Sequence, residues 1–265
     1  MHNFPYVQNM IRNYEVAVID RRISPNDRMN DQHYWDAGRS AVENIVVALM
    51  ASNIKKVKKV LDIPCGHGRV LRHLIHLLPG VEFHACDLDV DGVDFCAETF
   101  GAKPIYSRAE LTEVDFGSRY ELIWVGSLFT HTAQDVTRRW MSHLAKFLSP
   151  TGVVVATLQG RWAEHVHKVN PYIEEAQWQH ILNNYRAVGY GYHDYLEDGR
   201  SHISGTYGVS LVKPHTTIRN VEDIAGIRIY LYLERGWVDH QDVLVFGRPG
   251  YDLPLIIGES EQQEE

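Results

Sequence analysis

A strand, a glycine turn and the start of a helix follow one another in Val60-Leu61-Asp62-Ile63-Pro64-Cys65-Gly66-His67-Gly68-Arg69-Val70. Gly66 and Gly68 permit backbone conformations, and a close approach of a ligand, that a Cβ atom would block. The free N–H groups at the start of the following helix favour a carboxylate or a phosphate. The stretch therefore predicts a ligand-binding turn between a buried strand and a helix.

Apolar segments on either side of this turn alternate between strand spacing and helix spacing. They predict strands over 58–63, 81–86, 104–106, 121–125 and 152–157, with helices over 70–78, 91–100 and 133–147. Such alternation is typical of βαβ units and of a parallel sheet covered on both faces. Two further segments, 227–233 and 242–246, predict a hairpin whose last strand is antiparallel to its neighbour. We expect an α/β fold with a Rossmann-like, seven-stranded, mostly parallel sheet and helices on both faces.

Outside this alternating core the sequence predicts an N-terminal arm and an inserted lid. Residues 1–30 have little periodicity and predict a loosely structured arm, whereas apolar spacing predicts an amphipathic helix over 31–52. The stretch after the fifth strand breaks the rhythm and contains a predicted helix over 174–187. We expect the arm and helix in 1–53, the core in 54–158, a substrate-covering insertion in 159–213, strands that complete the sheet in 214–257, and a disordered acidic tail in 258–265.

The composition indicates a globular, cytoplasmic protein. Of the 265 residues 45% are hydrophobic, and 26 Lys and Arg face 34 Asp and Glu for a net charge of −8. The three cysteines show neither zinc-binding pairs nor a secreted framework, which favours a reducing compartment. No signal-peptide core and no membrane span is apparent. The negative balance and the lack of a large basic run disfavour a nucleic-acid partner, whereas a homo-oligomer remains open.

Acidic residues at the ends of two strands narrow the choice of ligand. Asp62 ends the first strand, and Asp87, 25 residues further on, ends the second, where a ribose-binding carboxylate belongs. The dinucleotide fingerprint needs a third glycine where Leu71 stands, and no Gly-Lys-Ser/Thr follows the glycines. A carboxylate at Asp62 suits a cationic amino group better than a pyrophosphate. These features fit a ligand with ribose, adenine and an aminoacyl zwitterion, which is S-adenosylmethionine.

The chain resembles the class I S-adenosylmethionine-dependent methyltransferases. Residues 61–69 resemble the first motif of that family, 86–89 its acidic second-strand end, 121–127 its fourth strand and 148–152 the turn before its fifth strand. The segments 31–49, 205–210 and 240–243 resemble, more loosely, a bacterial branch that acts on sugars and natural products. One departure is Thr151, which stands where the turn usually has glycine.

The resemblance implies a set of cofactor-binding residues. The turn would hold the methionine part, Asp87 the ribose hydroxyls and Leu88 the adenine, while Gly126 and Ser127 would line the opposite wall. The predicted set is Asp62, Pro64, Cys65, Gly66, Gly68, Arg69, Asp87, Leu88, Gly126 and Ser127. For Cys65, Leu88 and Ser127 plain packing is the alternative reading.

A general base is the second expected feature. Methyl transfer is an in-line displacement, so the protein must hold the nucleophile and the methyl group in near-attack geometry. A hydroxyl nucleophile also has to lose its proton, and histidine suits that task near pH 7. His131 follows the fourth strand at the carboxyl edge of the sheet and is the first candidate, and His240 is the second. The alternative role of His131 is to orient the next helix or to touch the cofactor.

Two other chemistries are weighed against this reading. His193, Asp194, Asp198 and His202 could orient a cation, but their spacing matches no metal motif, and no metal site is predicted. Residues 126–129 lack the Asn/Asp-Pro-Pro-Tyr/Phe element of enzymes that methylate exocyclic amines.

The sequence thus predicts a methyltransferase that uses S-adenosylmethionine to methylate a hydroxyl of a sugar, a glycan or another small natural product, with neither nucleic acid nor membrane as partner. One alternative is N-methylation of a small amine. The other is a cofactor-binding regulatory or scaffold protein without transferase activity.

Overall fold

The structure, a computed structural model, describes residues 3–15, 17–195 and 207–249. Its helices are α1 Phe4–Glu15, α2 Tyr34–Ser52, α3 Leu71–Leu77, α4 Val90–Phe100, α5 Gln134–Lys146, α6 Ala163–Val169, α7 Glu175–Val188 and α8 Pro214–Glu222. Its strands are β1 Lys59–Ile63, β2 Glu82–Asp87, β3 Lys103–Tyr106, β4 Tyr120–Val125, β5 Leu148–Leu158, β6 Tyr190–Asp194, β7 Gly208–Val212, β8 Arg228–Trp237 and β9 Gln241–Gly247.

Seven of these strands form one sheet in the order β3-β2-β1-β4-β5-β9-β8. The first five are parallel to one another, and β9 is antiparallel to both β5 and β8. The predicted seven-stranded, mostly parallel sheet with an antiparallel last strand is therefore confirmed. Since β1 lies between β2 and β4, the carboxyl ends of these three strands meet at one edge, where ligands bind in open α/β sheets.

The central strands are apolar on both sides because each face of the sheet is covered. Leu61, Ile123 and Val154 share a register across β1, β4 and β5 and belong to one hydrophobic core. Their neighbours Val60 and Leu122 point to the opposite face and belong to a second core with α2 and α3. Because successive side chains of a strand point to opposite faces of the sheet, each strand contributes to two separate cores.

The region 159–213 carries its own small core. It contains α6, α7 and the antiparallel pair of β6 and β7, with Trp178, Ile181 and Leu211 buried among them. The predicted helix over 174–187 is confirmed by α7, whereas the sequence pattern did not show α6, β6 and β7, nor α8 in the following segment. The predicted acidic tail, 258–265, lies outside the described residues.

One expectation for the N-terminal arm is wrong. Residues 4–15 form the helix α1 rather than a loosely structured segment. Val7 and Met10 are buried against the core beside α2 and α3. A helix of only 12 residues is marginal by itself and depends on tertiary packing. Its apolar residues do recur at helical spacing, at Val7, Met10, Ile11 and Tyr14, a periodicity that the expectation of a loose arm overlooked.

Arg72 on α3 connects the arm to the glycine turn. Its fully buried guanidinium donates to the carbonyl oxygens of Asp20 and Arg22 in the arm at 3.0 and 2.6 Å. It also donates to the carbonyl oxygens of Gly68 and His67 at 3.0 and 3.1 Å, and to the Tyr34 hydroxyl at 2.9 Å. One side chain therefore fixes the arm, α2 and the turn relative to one another.

Replacing Arg72 by methionine should lower the free energy of unfolding by at least about 3 kcal/mol, since several buried carbonyl groups would lose their donor. Urea unfolding with an unchanged m value measures the loss. The matched control is Arg108→Met, because that side chain is 67% exposed; it should change stability by less than about 0.5 kcal/mol. Equal effects of the two substitutions would contradict the role given to Arg72.

Candidate active site

The two glycines of the turn have different surroundings. Both have positive φ angles, +48° at Gly66 and +76° at Gly68, a conformation that side chains disfavour. A Cβ atom at Gly66 would meet nothing within 4 Å, whereas one at Gly68 would stand 2.5 Å from the Phe100 ring. Gly66 thus leaves open space where a ligand can approach, and Gly68 allows the turn to pack on α4.

Asp62 is a buried acid without a protein partner. Its side chain is 1% exposed, and neither oxygen accepts a hydrogen bond of normal geometry from the described residues. Burial, and then the charge of Asp87, raise the pKa of Asp62 well above its usual range, which the Arg69 charge and the Leu71 amide offset only in part. A buried carboxylate of this kind calls for a cation, and the amino group of an aminoacyl ligand could supply it.

Asp87 joins the ends of β1 and β2. One of its oxygens accepts the Gly66 N–H at 2.7 Å, and the other accepts the Asp89 N–H at 3.0 Å. Burial raises the pKa of Asp87 while the backbone N–H groups lower it. Each oxygen keeps a further acceptor site, which could take a ribose hydroxyl. Leu88, beside it, is 38% exposed and offers an apolar surface that could contact adenine.

The remaining turn residues differ in what they can do. Pro64 is half-buried, and its peptide bond with Ile63 is cis. The Cys65 thiol is buried and donates to the Gly66 carbonyl at 3.3 Å, so it has a partner within the turn itself. Half-buried Arg69 lies with its guanidinium 5.6 Å from the centre of the Trp237 ring and could reach a ligand carboxylate.

The wall at the end of β4 depends on two residues that the sequence analysis missed. Ser127, which follows Gly126, has a φ of +59°, an unusual value for a residue with a side chain. Its N–H donates to the Thr157 hydroxyl at 2.7 Å, which in turn donates to the Gln241 amide oxygen at 2.6 Å. The Gln241 amide then donates to the Ser127 hydroxyl at 3.1 Å. This closed ring of hydrogen bonds holds the strained backbone, and no local sequence signal joins positions so far apart.

His131 lies where the insertion meets the core. Its Nδ1 is 2.7 Å from the Gly208 carbonyl oxygen, and its backbone carbonyl accepts the Gly208 N–H at 2.9 Å. The imidazole stacks on the Tyr207 ring with centroids 4.4 Å apart, and the Tyr195 ring lies 6.0 Å from His131 and 5.8 Å from Tyr207. Because a carbonyl only accepts, the Nδ1 atom of His131 carries the hydrogen, which leaves the lone pair of Nε2 available.

Burial sets the protonation of the groups around His131. It lowers the pKa of His131 to about 4, which the Gly208 carbonyl only partly offsets, so the imidazole is neutral at pH 7. The pKa of Tyr207 is raised, first by burial and then by Tyr195 and the charge of Asp87. Asp87, at the end of β2, is thus one of the groups that act on the Tyr207 phenol.

His240 lies at the turn between β8 and β9. Its Nε2 is 2.9 Å from the Tyr172 hydroxyl of the insertion, and burial lowers its pKa. It lines a cavity of 710 Å³ together with residues on and just before α2, in the glycine turn, at the end of β4 and in the β8–β9 hairpin, among them Asp31, Asp36, Arg69, Ser127, Asp239 and Gln241. The structure thus brings His240, Arg69 and Ser127 to one cavity, whereas His131 is not among the residues that line it and contacts β7 instead.

Some sequence-based candidates do not enter this site. Among residues 3–15, 17–195 and 207–249, no group of three His, Cys, Asp or Glu side chains could hold a metal ion. The Nδ1–H of His193 donates to the Asp194 carbonyl at 2.7 Å, and Asp198 and His202 lie outside the described residues.

No helix in the described part of the chain is long and apolar enough to cross a membrane.

Comparisons with known proteins point to methyl transfer. Residues 61–154 match a family model described as a methyltransferase domain. A search of curated protein sequences returns no match.

Solved structures share the fold. A methyltransferase from Clostridium acetobutylicum, described as S-adenosylmethionine-dependent, has a TM-score of 0.54 and 12% identity over 79% of this chain and 91% of its own. DesVI of Streptomyces venezuelae has a TM-score of 0.54 and 15% identity over 86% and 99% of the two chains. CalS10 of Micromonospora echinaspora, an amino pentose methyltransferase solved with S-adenosylmethionine, has a TM-score of 0.51 and 14% identity over 88% and 100%.

The variants Gly66→Ala and Gly68→Ala should have different effects, the first on ligand binding and the second on the stability of the fold. At Gly66 the positive φ costs about 1 kcal/mol, and the new methyl group enters the open space, so affinity for S-adenosylmethionine should fall more than tenfold. At Gly68 the contact with Phe100 adds about 1–3 kcal/mol of destabilisation. Calorimetric titration and urea unfolding measure the two effects. Normal binding by Gly66→Ala would show that the open space is not the ligand site.

Asp62→Asn should weaken binding of S-adenosylmethionine more than tenfold while stabilising the cofactor-free protein. Because the pKa of Asp62 is raised in the folded state, its carboxyl releases a proton on unfolding, and stability falls as pH rises above the ordinary value of 3.8. Asparagine removes that loss, so its advantage grows with pH. Unfolding at several pH values measures it.

Asp223→Asn is the matched control because that side chain is 73% exposed. It should leave both affinity and the pH dependence of stability unchanged. An Asp62→Asn variant that binds S-adenosylmethionine like the wild type would remove Asp62 from the site.

Proposed function

We propose that the chain, whose residues 61–154 match a methyltransferase domain, uses S-adenosylmethionine to methylate a hydroxyl group of a sugar, a glycan or another small natural product, with His131 as the general base. The observation that carries the proposal is the hydrogen bond from His131 Nδ1 to the Gly208 carbonyl, 2.7 Å long. It fixes the tautomer in which Nε2 can accept a proton.

The chain's own residues would place the cofactor. Asp62 would bind the amino group, Asp87 the ribose hydroxyls and Leu88 the adenine. The open space at Gly66 would let the ligand approach the backbone of the turn. When bound, S-adenosylmethionine supplies a methyl group on a sulfonium, a carbon already activated for displacement. The protein therefore has to orient the acceptor and remove its proton.

His131 is suited to remove that proton at neutral pH. Its pKa of about 4 means that the neutral form, which accepts protons, predominates. Such a low pKa makes it a weak base, so it would take the proton as the oxygen becomes methylated and more acidic, not in an earlier separate step. The reciprocal bonds between His131 and Gly208 hold the ring against the insertion.

The surroundings of His131 support a small acceptor with a ring. The faces of Tyr195 and Tyr207 lie within 6.0 Å of the imidazole, and aromatic side chains with a few polar groups are typical of small-molecule sites. Strand β7 is bound to the segment around His131 at a second point, because the Ser210 N–H donates to the Thr130 carbonyl at 2.9 Å. The insertion would therefore cover an acceptor bound beside His131.

The second candidate function is N-methylation of a small amine. It is favoured by the acidic lining of the 710 Å³ cavity, where Asp31, Asp36 and Asp239 outnumber the cations and would attract an ammonium group. CalS10, which shares the fold, is described as an amino pentose methyltransferase. A third reading, a cofactor-binding protein without transferase activity, is separated from both by the appearance of S-adenosylhomocysteine.

A panel of paired acceptors tests the choice. Sugars and phenols that carry either a hydroxyl or an amino group at the same position are incubated with S-adenosylmethionine, and S-adenosylhomocysteine is measured by mass spectrometry. Turnover confined to the hydroxyl members supports the proposal, turnover confined to the amines supports the second candidate, and none with any acceptor supports the third.

His131→Ala should lower kcat more than 100-fold, in the range of general acid–base contributions, with the Kd for S-adenosylmethionine unchanged within threefold. The control is His165→Ala, an exposed histidine of the insertion, which should keep both constants. A loss of tenfold or less in kcat for His131→Ala would exclude it as the base.

A further inference from the structure

Arg69 brings an unpaired cation to the 710 Å³ cavity beside the glycine turn. The residue is half-buried and lines the cavity, and its guanidinium has no hydrogen bond or ion pair with residues 3–15, 17–195 and 207–249. Burial lowers the pKa of Arg69, which more distant charges, that of Asp31 first among them, offset in part. A half-buried charge without a partner is costly, and an anion that entered the cavity would relieve that cost.

The remaining arginine and acids of the cavity are either paired or exposed. Arg39 and Glu43 pair at 3.5 Å, and Asp239 pairs with Arg235 at 2.6 Å. The other acids that line the cavity are exposed, namely Asp31 and Asp36. Of the described charged residues in its wall, Arg69 is therefore the one that is both half-buried and unpaired.

The indole of Trp237 is the surface against which Arg69 lies. The centre of the indole is 5.6 Å from the guanidinium carbon, within the range of a cation–π contact. The ring is only 3% exposed, and its Nε1–H donates to the Ala37 carbonyl at 2.8 Å. It also meets the Trp124 ring edge to face with centroids 5.6 Å apart. These contacts fix the indole and so restrict where the guanidinium can lie.

The turn that carries Trp237 has a strained backbone. Three of its residues have positive φ angles of +57°, +49° and +56°, namely Arg235, Val238 and Asp239. Such a value is a marked departure for a β-branched residue such as Val238. Two side chains of α2 hold this backbone: Asn44 donates to the Gly236 carbonyl at 2.7 Å, and the Ser40 hydroxyl accepts the Val238 N–H at 3.0 Å.

The strain lies around a cavity that is separate from most of the predicted cofactor residues. Ser127, with its φ of +59°, lines the same cavity as the strained turn, and strained backbone clusters at functional sites. Asp62, Asp87 and Leu88 are not among the described residues that line it. Since the amino group, ribose and adenine of the cofactor are assigned to those three residues, the cavity offers room for a second ligand.

We propose that this cavity binds the acceptor, and that Arg69 on the face of Trp237 binds a carboxylate of that acceptor. A guanidinium suits a carboxylate because it can donate two parallel hydrogen bonds to it. The volume of 710 Å³ is within the range of small-molecule pockets. The acceptor is thereby narrowed to a hydroxy acid, such as a sugar acid. The proposal rests on the proposed methylation of a hydroxyl acceptor, but not on His131 as the base.

Calorimetric titration with pairs of a hydroxy acid and its amide tests the proposal. The probes are glucuronate with glucuronamide, salicylate with salicylamide, and lactate with lactamide, each titrated into the full chain saturated with S-adenosylhomocysteine. We expect the wild type to bind the acid of at least one pair about tenfold more tightly than the amide, since hydrogen bonds between charged groups are strong.

Arg69→Met should remove this preference for the acid, and Arg69→Lys, which keeps the charge, should retain part of it. The affinity of Arg69→Met for S-adenosylmethionine should stay within threefold of the wild type. The control is Arg108→Met, an exposed arginine outside the cavity, which should keep the full preference. Because acid and amide are compared within each variant, a partly unfolded preparation does not mimic the expected result.

Three results would overturn the proposal. The first is a wild type that binds the acid and the amide of every pair equally, or binds neither. The second is a preference for the acid that survives in Arg69→Met. The third is a large loss of affinity for S-adenosylmethionine in Arg69→Met with no loss for its decarboxylated analogue, which would assign the guanidinium to the cofactor. Binding is measured without methyl transfer, so an inactive panel or an active His131→Ala enzyme would refute the proposed function and leave the acid preference standing.

Discussion

The hydrogen bond from the Gly66 N–H to the Asp87 carboxylate, 2.7 Å long, joins the ends of two parallel strands, and the rest of the site is arranged around it. It requires β1 and β2 to be neighbours in register and the turn to have a positive φ at Gly66. Gly92 allows α4 to pack closely against this turn, because a Cβ atom at position 92 would stand 2.6 Å from the Gly66 carbonyl oxygen. Arg72 then holds the next two carbonyl groups of the turn.

This arrangement costs stability in the cofactor-free protein. Asp62 is a buried acid without a partner among the described residues, and Ser127 has a φ of +59°. Strained backbone and perturbed acids cluster at functional sites because the surrounding structure holds them there. Here the surroundings are the ring of hydrogen bonds through Thr157 and Gln241 and the packed cores on both faces of the sheet. A bound cation at Asp62 would recover part of that cost, which links folding to cofactor binding.

The insertion completes the site by contributing main-chain and side-chain partners to the core. The carbonyl of Gly208 in β7 accepts from His131, and the hydroxyl of Tyr172, between α6 and α7, lies 2.9 Å from His240 Nε2. Both histidines are kept neutral by burial. For His131 the neighbour decides the tautomer, because the Gly208 carbonyl places the ring hydrogen on Nδ1 and leaves Nε2 with a lone pair.

The sequence itself predicted the sheet and the glycine turn, because both rest on local signals: apolar periodicity, glycines between a strand and a helix, and acids at strand ends. The positions of Asp62, Gly66 and Asp87 follow from those signals, since parallel strands place their carboxyl ends at one edge. The helix α1 at residues 4–15 was not predicted, because its stability depends on packing against helices that are distant in the sequence. For a related reason the sequence did not reveal four hydrogen-bonding residues of the site, namely Thr157, Gln241, Gly208 and Tyr172. Each acts through a hydrogen bond to a residue between 30 and 114 positions away, and only the folded chain brings such partners together.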